Sequence, residues 1–234
     1  MPSRALHHAA RHLAVTIVAV VGLAPVLAGC GAMTPSSPQG DPVPGEGDVQ
    51  PEVRELPTFS RVSVGAGMKV VIGIAAETEV IVTAQPNLLP LIKTEVVDGQ
   101  LIVTIPSPGV TTTEPMSLAL RVPALTSVAL SAGSEGFLEH TGAPLNLDVS
   151  GGAKVTAIGT TPKLTLTASA GGNALLGELT AGDAAINMND GSSAELTVTG
   201  ALTGVVDGGS SVLLTTKPAS VSVETKSGAT VQGG

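Results

Sequence analysis

One spacing governs what this chain can become. From about Leu125 to Gly234 a glycine returns at nearly constant intervals: Gly133, Gly152, Gly171, Gly191, Gly209 and Gly228. The gaps are 19, 19, 20, 18 and 19 residues. A unit this short cannot bury an apolar face by itself. Stacked copies can, because equivalent residues then lie over one another in a continuous ladder.

The positions within the unit agree. Seven residues before each glycine stand Thr126, Leu145, Leu164, Ala184, Leu202 and Val221. Five before stand Val128, Leu147, Leu166, Ile186, Gly204 and Val223, and three before stand Leu130, Val149, Ala168, Met188, Val206 and Thr225. These columns are mostly apolar, while the residues between them, such as Asn146 and Asp148 or Thr165 and Thr167, are polar. Alternation of this kind marks a strand with one buried face. Three residues after the glycine a second short strand opens with Gly136, Val155, Ala174, Ala194, Val212 and Val231. Tight turns join the two, among them Ser150-Gly151-Gly152, Ser169-Ala170-Gly171 and Asn189-Asp190-Gly191. Glycine admits positive φ there, and Ser, Asn and Asp bond nearby backbone.

Each unit therefore reads strand, tight turn, strand, loose turn, which is one coil of a β-solenoid. At a strand spacing of roughly 4.8 Å, the coils make a rod on the order of 25–30 Å long. A meander of hairpins in a sandwich would also space its strands about 8–12 residues apart. Recurrence of individual positions and turns favours the solenoid. The expected fold is all-β, a single-domain solenoid of about six coils of 19 residues over 125–234, preceded by an irregular strand-rich capping section over 58–124.

In that section the strand candidates are Arg61–Val64, Lys69–Ile74, Glu79–Thr83, Thr94–Val97, Leu101–Ile105 and Ser117–Val122. Gly65-Ala66-Gly67 and Asp98-Gly99 read as hairpin turns, and Pro86–Leu91 as a single helical turn. Irregular terminal units are expected where an open core must be covered. The last coil, ending Val231-Gln232-Gly233-Gly234, carries no evident cap, so it is expected to pair end to end with another copy or a partner.

The N-terminus supplies an address. Arg4 and Arg11 precede an apolar run from Leu13 to Leu27, and Leu27-Ala28-Gly29-Cys30 has the form of a lipobox. The run falls short of the roughly 20 residues needed to span a bilayer. Residues 1–29 are expected to be a lipoprotein signal peptide, with Cys30 acylated and anchored in the cell membrane on its extracytoplasmic face. Gly31 after it permits sorting to an outer membrane where the host has one. Residues 30–57 hold six prolines, four glycines and several acids, and read as a disordered tether to the domain at 58–234.

Chemistry is sparse. Cys30 is the only cysteine, and His140 the only histidine once the signal is removed. A Cys/His metal cluster is therefore impossible in the mature chain, and stacked Asp190 and Asp207 are the best carboxylate alternative. A triad needs a base and an orienting acid, but Glu139 and His140 are adjacent on a strand and point apart, so His140 reads as a surface residue. No catalytic, cofactor or metal site is expected. The chain has a net charge of −8, which disfavours nucleic acid as a partner.

The opening Phe59-Ser60-Arg61-Val62-Ser63-Val64, the sequence Asn87-Leu88-Leu89, the run from Thr94 through Asp98-Gly99 to Val103, the step Val122-Pro123-Ala124-Leu125 and the glycine turns together resemble the bacterial auto-transporter adhesin head GIN domain over about residues 58–231. The resemblance implies a β-helix-like fold at the cell envelope and no established catalytic residues. The reading that follows is a lipid-anchored, non-catalytic binding, adhesion or scaffold module with an envelope protein or glycan as ligand. The alternatives are a degenerate carbohydrate-active β-helix enzyme and an accessory or sensor lipoprotein of an envelope-stress system.

Overall fold

The computed structural model describes residues 40–106 and 108–234, so Cys30, the signal segment and the first part of the expected tether lie outside the described residues. In chain order the strands before the repeats are β1 (Val43–Pro44), β2 (Gln50–Val53), β3 (Arg61–Val64), β4 (Lys69–Ile74), β5 (Glu79–Ala84), β6 (Lys93–Val97), β7 (Gln100–Thr104), β8 (Val110–Thr111) and β9 (Ser117–Val122). A 3-10 turn at Leu89–Leu91 falls where a helical turn was expected. The repeats supply β10 (Ser127–Leu130), β11 (Glu135–His140), β12 (Leu145–Val149), β13 (Lys154–Ala168), β14 (Asn173–Met188), β15 (Ser193–Val198), β16 (Ala201–Val206), β17 (Ser211–Leu214), β18 (Ser220–Thr225) and β19 (Thr230–Gly233).

The fold is the β-solenoid, and its parallel ladders follow the sequence columns. Leu145 pairs with Leu164, Leu164 with Ala184, Ala184 with Leu202 and Leu202 with Val221. Beside them Val128, Leu147, Leu166, Ile186, Gly204 and Val223 form an unbroken register. Slippage by one residue would turn every leucine of these columns to water, so the buried face fixes the register. The core is aliphatic: Leu145, Leu164, Ala168, Leu176, Leu196 and Leu202 are no more than 1 % exposed.

The same columns continue below the repeats. Val62 of β3 pairs with Val128 and with Leu101 of β7, and Val70 of β4 pairs with Gly136 and with Leu118 of β9. Two further rungs, β3/β4 and β7/β9, therefore lie under the first repeat. Antiparallel strands finish that end: β6 on β7, β5 on β9, and β2 on β5.

Four expectations change. The turn at Gly65-Ala66-Gly67 is no hairpin, because β3 and β4 pair with other strands; it is a solenoid corner under Ser131-Ala132-Gly133, with the Ser131 amide donating to the Val64 carbonyl at 3.0 Å. Asp98-Gly99 does close the hairpin β6–β7. The loose turns vanish in the middle coils, where β13 and β14 run through the corner as single strands of 15 and 16 residues. The tether is shorter than its composition implied. β1 pairs with β8 and β2 with β5, Asn87 accepts from the Glu46 amide and donates to the Pro44 carbonyl, both at 2.8 Å, and Arg54 donates to the Leu89 carbonyl at 2.8 Å. Proline is tolerated there because an edge strand needs no amide on its outer side. Finally, His140 is buried at 2 % exposure, not on the surface.

Candidate functional site: the grooved face of the solenoid

The solenoid presents two broad outer faces of different character. On one, small and mostly polar residues stack coil over coil: Ser127, Asn146, Thr165, Ala185, Thr203 and Ser222 in one row. On the other, the row runs Ile81, Ala119, Val71, Phe137 and Thr156, and continues through Leu175, Glu195 and Leu213. Strand alternation puts all of these outward. Val71 is 52 %, Ile74 44 %, Phe137 37 % and Leu213 51 % exposed. Clustered apolar residues that a fold leaves in water mark contact surfaces more often than scattered ones do.

A groove of about 510 Å³ opens on this face over β4, β5, β9 and β11. Val71, Ile74, Ile81 and Phe137 give its apolar walls, Gly73 lies in its floor, and Glu79, Arg121 and Glu139 stand around it. Arg121 approaches Glu79 at 3.7 Å, an exposed pair worth about 0–1 kcal/mol. Glu139 has no ion pair among the described residues. A second groove of about 380 Å³ lies farther along the same face, against Leu175, Glu195 and Leu213.

The expected site residues fall elsewhere. Gly133, Gly152, Gly171, Gly191, Gly209 and Gly228 all have positive φ and form one corner of the rod, where each amide from Gly133 to Gly209 donates to a carbonyl of the next turn at 2.9–3.0 Å. They are architectural. Asp190 and Asp207 do not converge: Gly208, not Asp207, lies over Asp190, and the Asp207 carboxylate accepts from the Gly208 amide at 2.6 Å. A hydrogen bond from the Ser227 hydroxyl, then that amide and the Lys226 charge, hold the Asp207 carboxyl below its ordinary value of 3.8. No group of three or more His, Cys, Asp or Glu side chains gathers among the described residues.

His140 also serves the corner. Its Nε2 donates to the Ala143 carbonyl at 2.7 Å, which fixes the tautomer and leaves Nδ1 buried without a partner. Thr161 donates to the same carbonyl at 2.8 Å. Two acids, Glu79 and Glu139, do share the larger groove, but three ladder steps separate their backbones, about 14 Å at ordinary strand spacing. A glycosidase pair needs roughly 5–9.5 Å, and Arg121 stands between. Sequence reasoning missed this face. The alternation Glu135, Phe137, Glu139 around buried Leu138 already placed the phenyl ring outward, and was the available signal.

The chain is thus a parallel β-solenoid closed at one end by antiparallel strands, with a grooved outer face. Residues 58–218 match the family described as "Putative auto-transporter adhesin, head GIN domain", and the chain belongs to that family. Among solved structures it is similar to a protein described as a putative adhesin from Bacteroides fragilis, with a TM-score of 0.62 and 15 % identity over 82 % of this chain and 99 % of that one. It is also similar to one described as a putative adhesin from Parabacteroides merdae, with a TM-score of 0.56 and 16 % identity over 83 % and 100 %. A third, described as a putative lipid binding protein from Parabacteroides distasonis, has a TM-score of 0.50 and 13 % identity over 83 % and 100 %. At these identities the likeness is one of fold. No curated protein matches the chain.

Proposed function

We propose that the chain is a lipid-anchored protein of the cell envelope that displays its solenoid as a non-catalytic binding module, with the grooved face as its contact surface. The observation that carries this reading is the exposed apolar cluster of Val71 and Phe137 with Ile74 at the end of β4, set in a groove whose charges are spaced for contact and not for paired acid–base chemistry. The anchor rests on the lipobox ending in Cys30. Two acyl chains on that residue would suffice for stable membrane attachment. Val221 in β18 is 53 % exposed, an apolar surface that favours a second contact, self-association through that coil.

Retention of envelope proteins and glycans on immobilised protein tests the face. Replacing Val71, Ile74 and Phe137 together by threonine should abolish retention, whereas replacing Thr165, Thr167 and Asn187 on the opposite face by alanine should not. Equal retention by both variants would remove the grooved face from the function. Incorporation of an alkynyl fatty acid, lost in Cys30→Ser, tests the anchor. Sedimentation velocity of the wild type against Val221→Lys tests the self-association.

A further inference from the structure

We infer that the notch over Gly73 receives a lysine side chain presented by an extended segment of a partner protein. Its methylenes would lie against Phe137 and Ile74, and its ammonium on Glu139. This rests on the binding reading above and assigns the chemistry of its ligand.

Gly73 is the key residue. It faces outward on β4, in register with Arg121 of β9. Leu138 pairs with Ile72, so Glu139 stands on the other side of the same notch. Nothing in the fold requires glycine at this position. Its φ is not in the left-handed region, and a Cβ built on it meets no atom within 4 Å. Glycine weakens a strand and often marks a bulge, a tight bend or the close approach of a ligand or backbone; the β4–β9 register runs through Gly73 without a shift. Here the missing side chain leaves the groove floor open between a guanidinium and a carboxylate.

The charges select the occupant. Arg121 has Glu79 within 3.7 Å, whereas Glu139 has no ion pair among the described residues. An anionic ligand would meet that carboxylate and a chain of net charge −8. A purely apolar chain would desolvate Glu139 without giving it a partner, which is costly. A flexible aliphatic stem ending in a compact ammonium satisfies both the wall and the carboxylate. A small free amine would leave the row of Ala119 and Ile81 uncovered. In an extended peptide, the residues flanking the lysine reach that row.

The test is fluorescence anisotropy on the intact chain in detergent, with a labelled peptide carrying one lysine between valines and alanines. The comparison peptide is identical except for an acetylated lysine. The lysine peptide should bind about two- to fivefold more tightly, the scale of an exposed ion pair. Glu139→Gln should erase that difference, and Glu224→Gln, the same charge change in the last coil, should preserve it. Gly73→Val should abolish binding of both peptides without lowering the melting temperature, since the added Cβ meets no atom within 4 Å and valine favours strands. Equal affinity for the two peptides, or unchanged binding by Gly73→Val, would overturn the inference. Failure of the lysine peptide to bind would overturn it too. If envelope retention still depended on Val71, Ile74 and Phe137 in that case, the binding reading would stand; loss of both would remove that reading as well.

Discussion

Substitutions of opposite sign should come from two adjacent residues of one turn. Ala170 and Gly171 occupy the two central positions of the third repeat turn, with φ of 48° and 75°. The Gly172 amide closes the turn on the Ser169 carbonyl at 3.0 Å. Both positions lie in the left-handed region, where an L-residue with a Cβ pays about 1–2 kcal/mol. Ala170→Gly relieves that strain but loosens the unfolded chain, an opposing effect of about 0.4–1 kcal/mol. The net expectation is stabilisation of about 0.5–1 kcal/mol. Gly171→Ala introduces the same strain, offset in the same way, and should destabilise by a similar amount. A Cβ at Gly171 meets nothing within 4 Å, so sterics do not confuse the comparison.

Urea denaturation followed by far-UV circular dichroism reads both changes as shifts in midpoint at constant slope. For a domain of this size each kcal/mol moves the melting temperature by about 2–4 °C. The neighbouring turn supplies a control. Gly151 holds the position of Ala170 one coil earlier, and a Cβ there would sit 3.2 Å from the Ala132 amide nitrogen. Gly151→Ala should therefore destabilise more than Gly171→Ala does. Destabilisation by Ala170→Gly, or a neutral Gly171→Ala, would refute the claim that left-handed strain limits these corners.

Three further outcomes are expected. Gly204→Ala should destabilise by more than about 2 kcal/mol in the same assay, because φ is 139° and the added Cβ would fall 1.8 Å from the Ile186 carbonyl oxygen. Asp207→Asn should flatten the loss of melting temperature in acid: the folded carboxyl is held below 3.8, so its stabilising contribution is complete at neutral pH and disappears as pH falls through the lowered value. Calorimetry from pH 6 to about pH 3 checks this. Asn87→Ala removes two hydrogen bonds to the N-terminal arm, so limited proteolysis should cleave between Val43 and Val53 several-fold faster while the core stays intact.

The repeats were legible because parallel stacking copies sequence spacing directly into space. Leu145, Leu164, Ala184 and Leu202 are equivalent in sequence and paired in the ladder for the same reason. The rungs beneath were not legible, since the chain leaves β4 for antiparallel β5 and β6 before returning through β7 and β9. That detour breaks the period, so Gly65-Ala66-Gly67 looked like an isolated hairpin although it occupies the repeat corner. The docked arm was hidden for a different reason: β2 is exposed at every residue and held by backbone pairing and a few side chains, which leaves no apolar pattern to read. His140 misled through its neighbours. Beside Glu139 and a turn it looked like a surface residue, yet strand alternation carries it inward along with Leu138.

Regularity and function divide the molecule between them. On the Ser/Thr face of the repeats most outward positions are echoed one coil on, so small side chains stack into smooth ladders. Where the period fails, β5 adds to β9 from the opposite direction, and rows from four strands of unlike sequence meet. Phe137 then stands beside Val71 and Ala119, and Gly73 beside Arg121, combinations that a faithful repeat would not generate. A solenoid whose coils exist to stack can hold such a patch rigid, because each inward residue beneath it, Val70, Ile72, Leu118, Leu120 and Leu138, is at most 2 % exposed. The well-packed coils thus fix the geometry of the least regular surface, and it is at that surface that specific contact is expected.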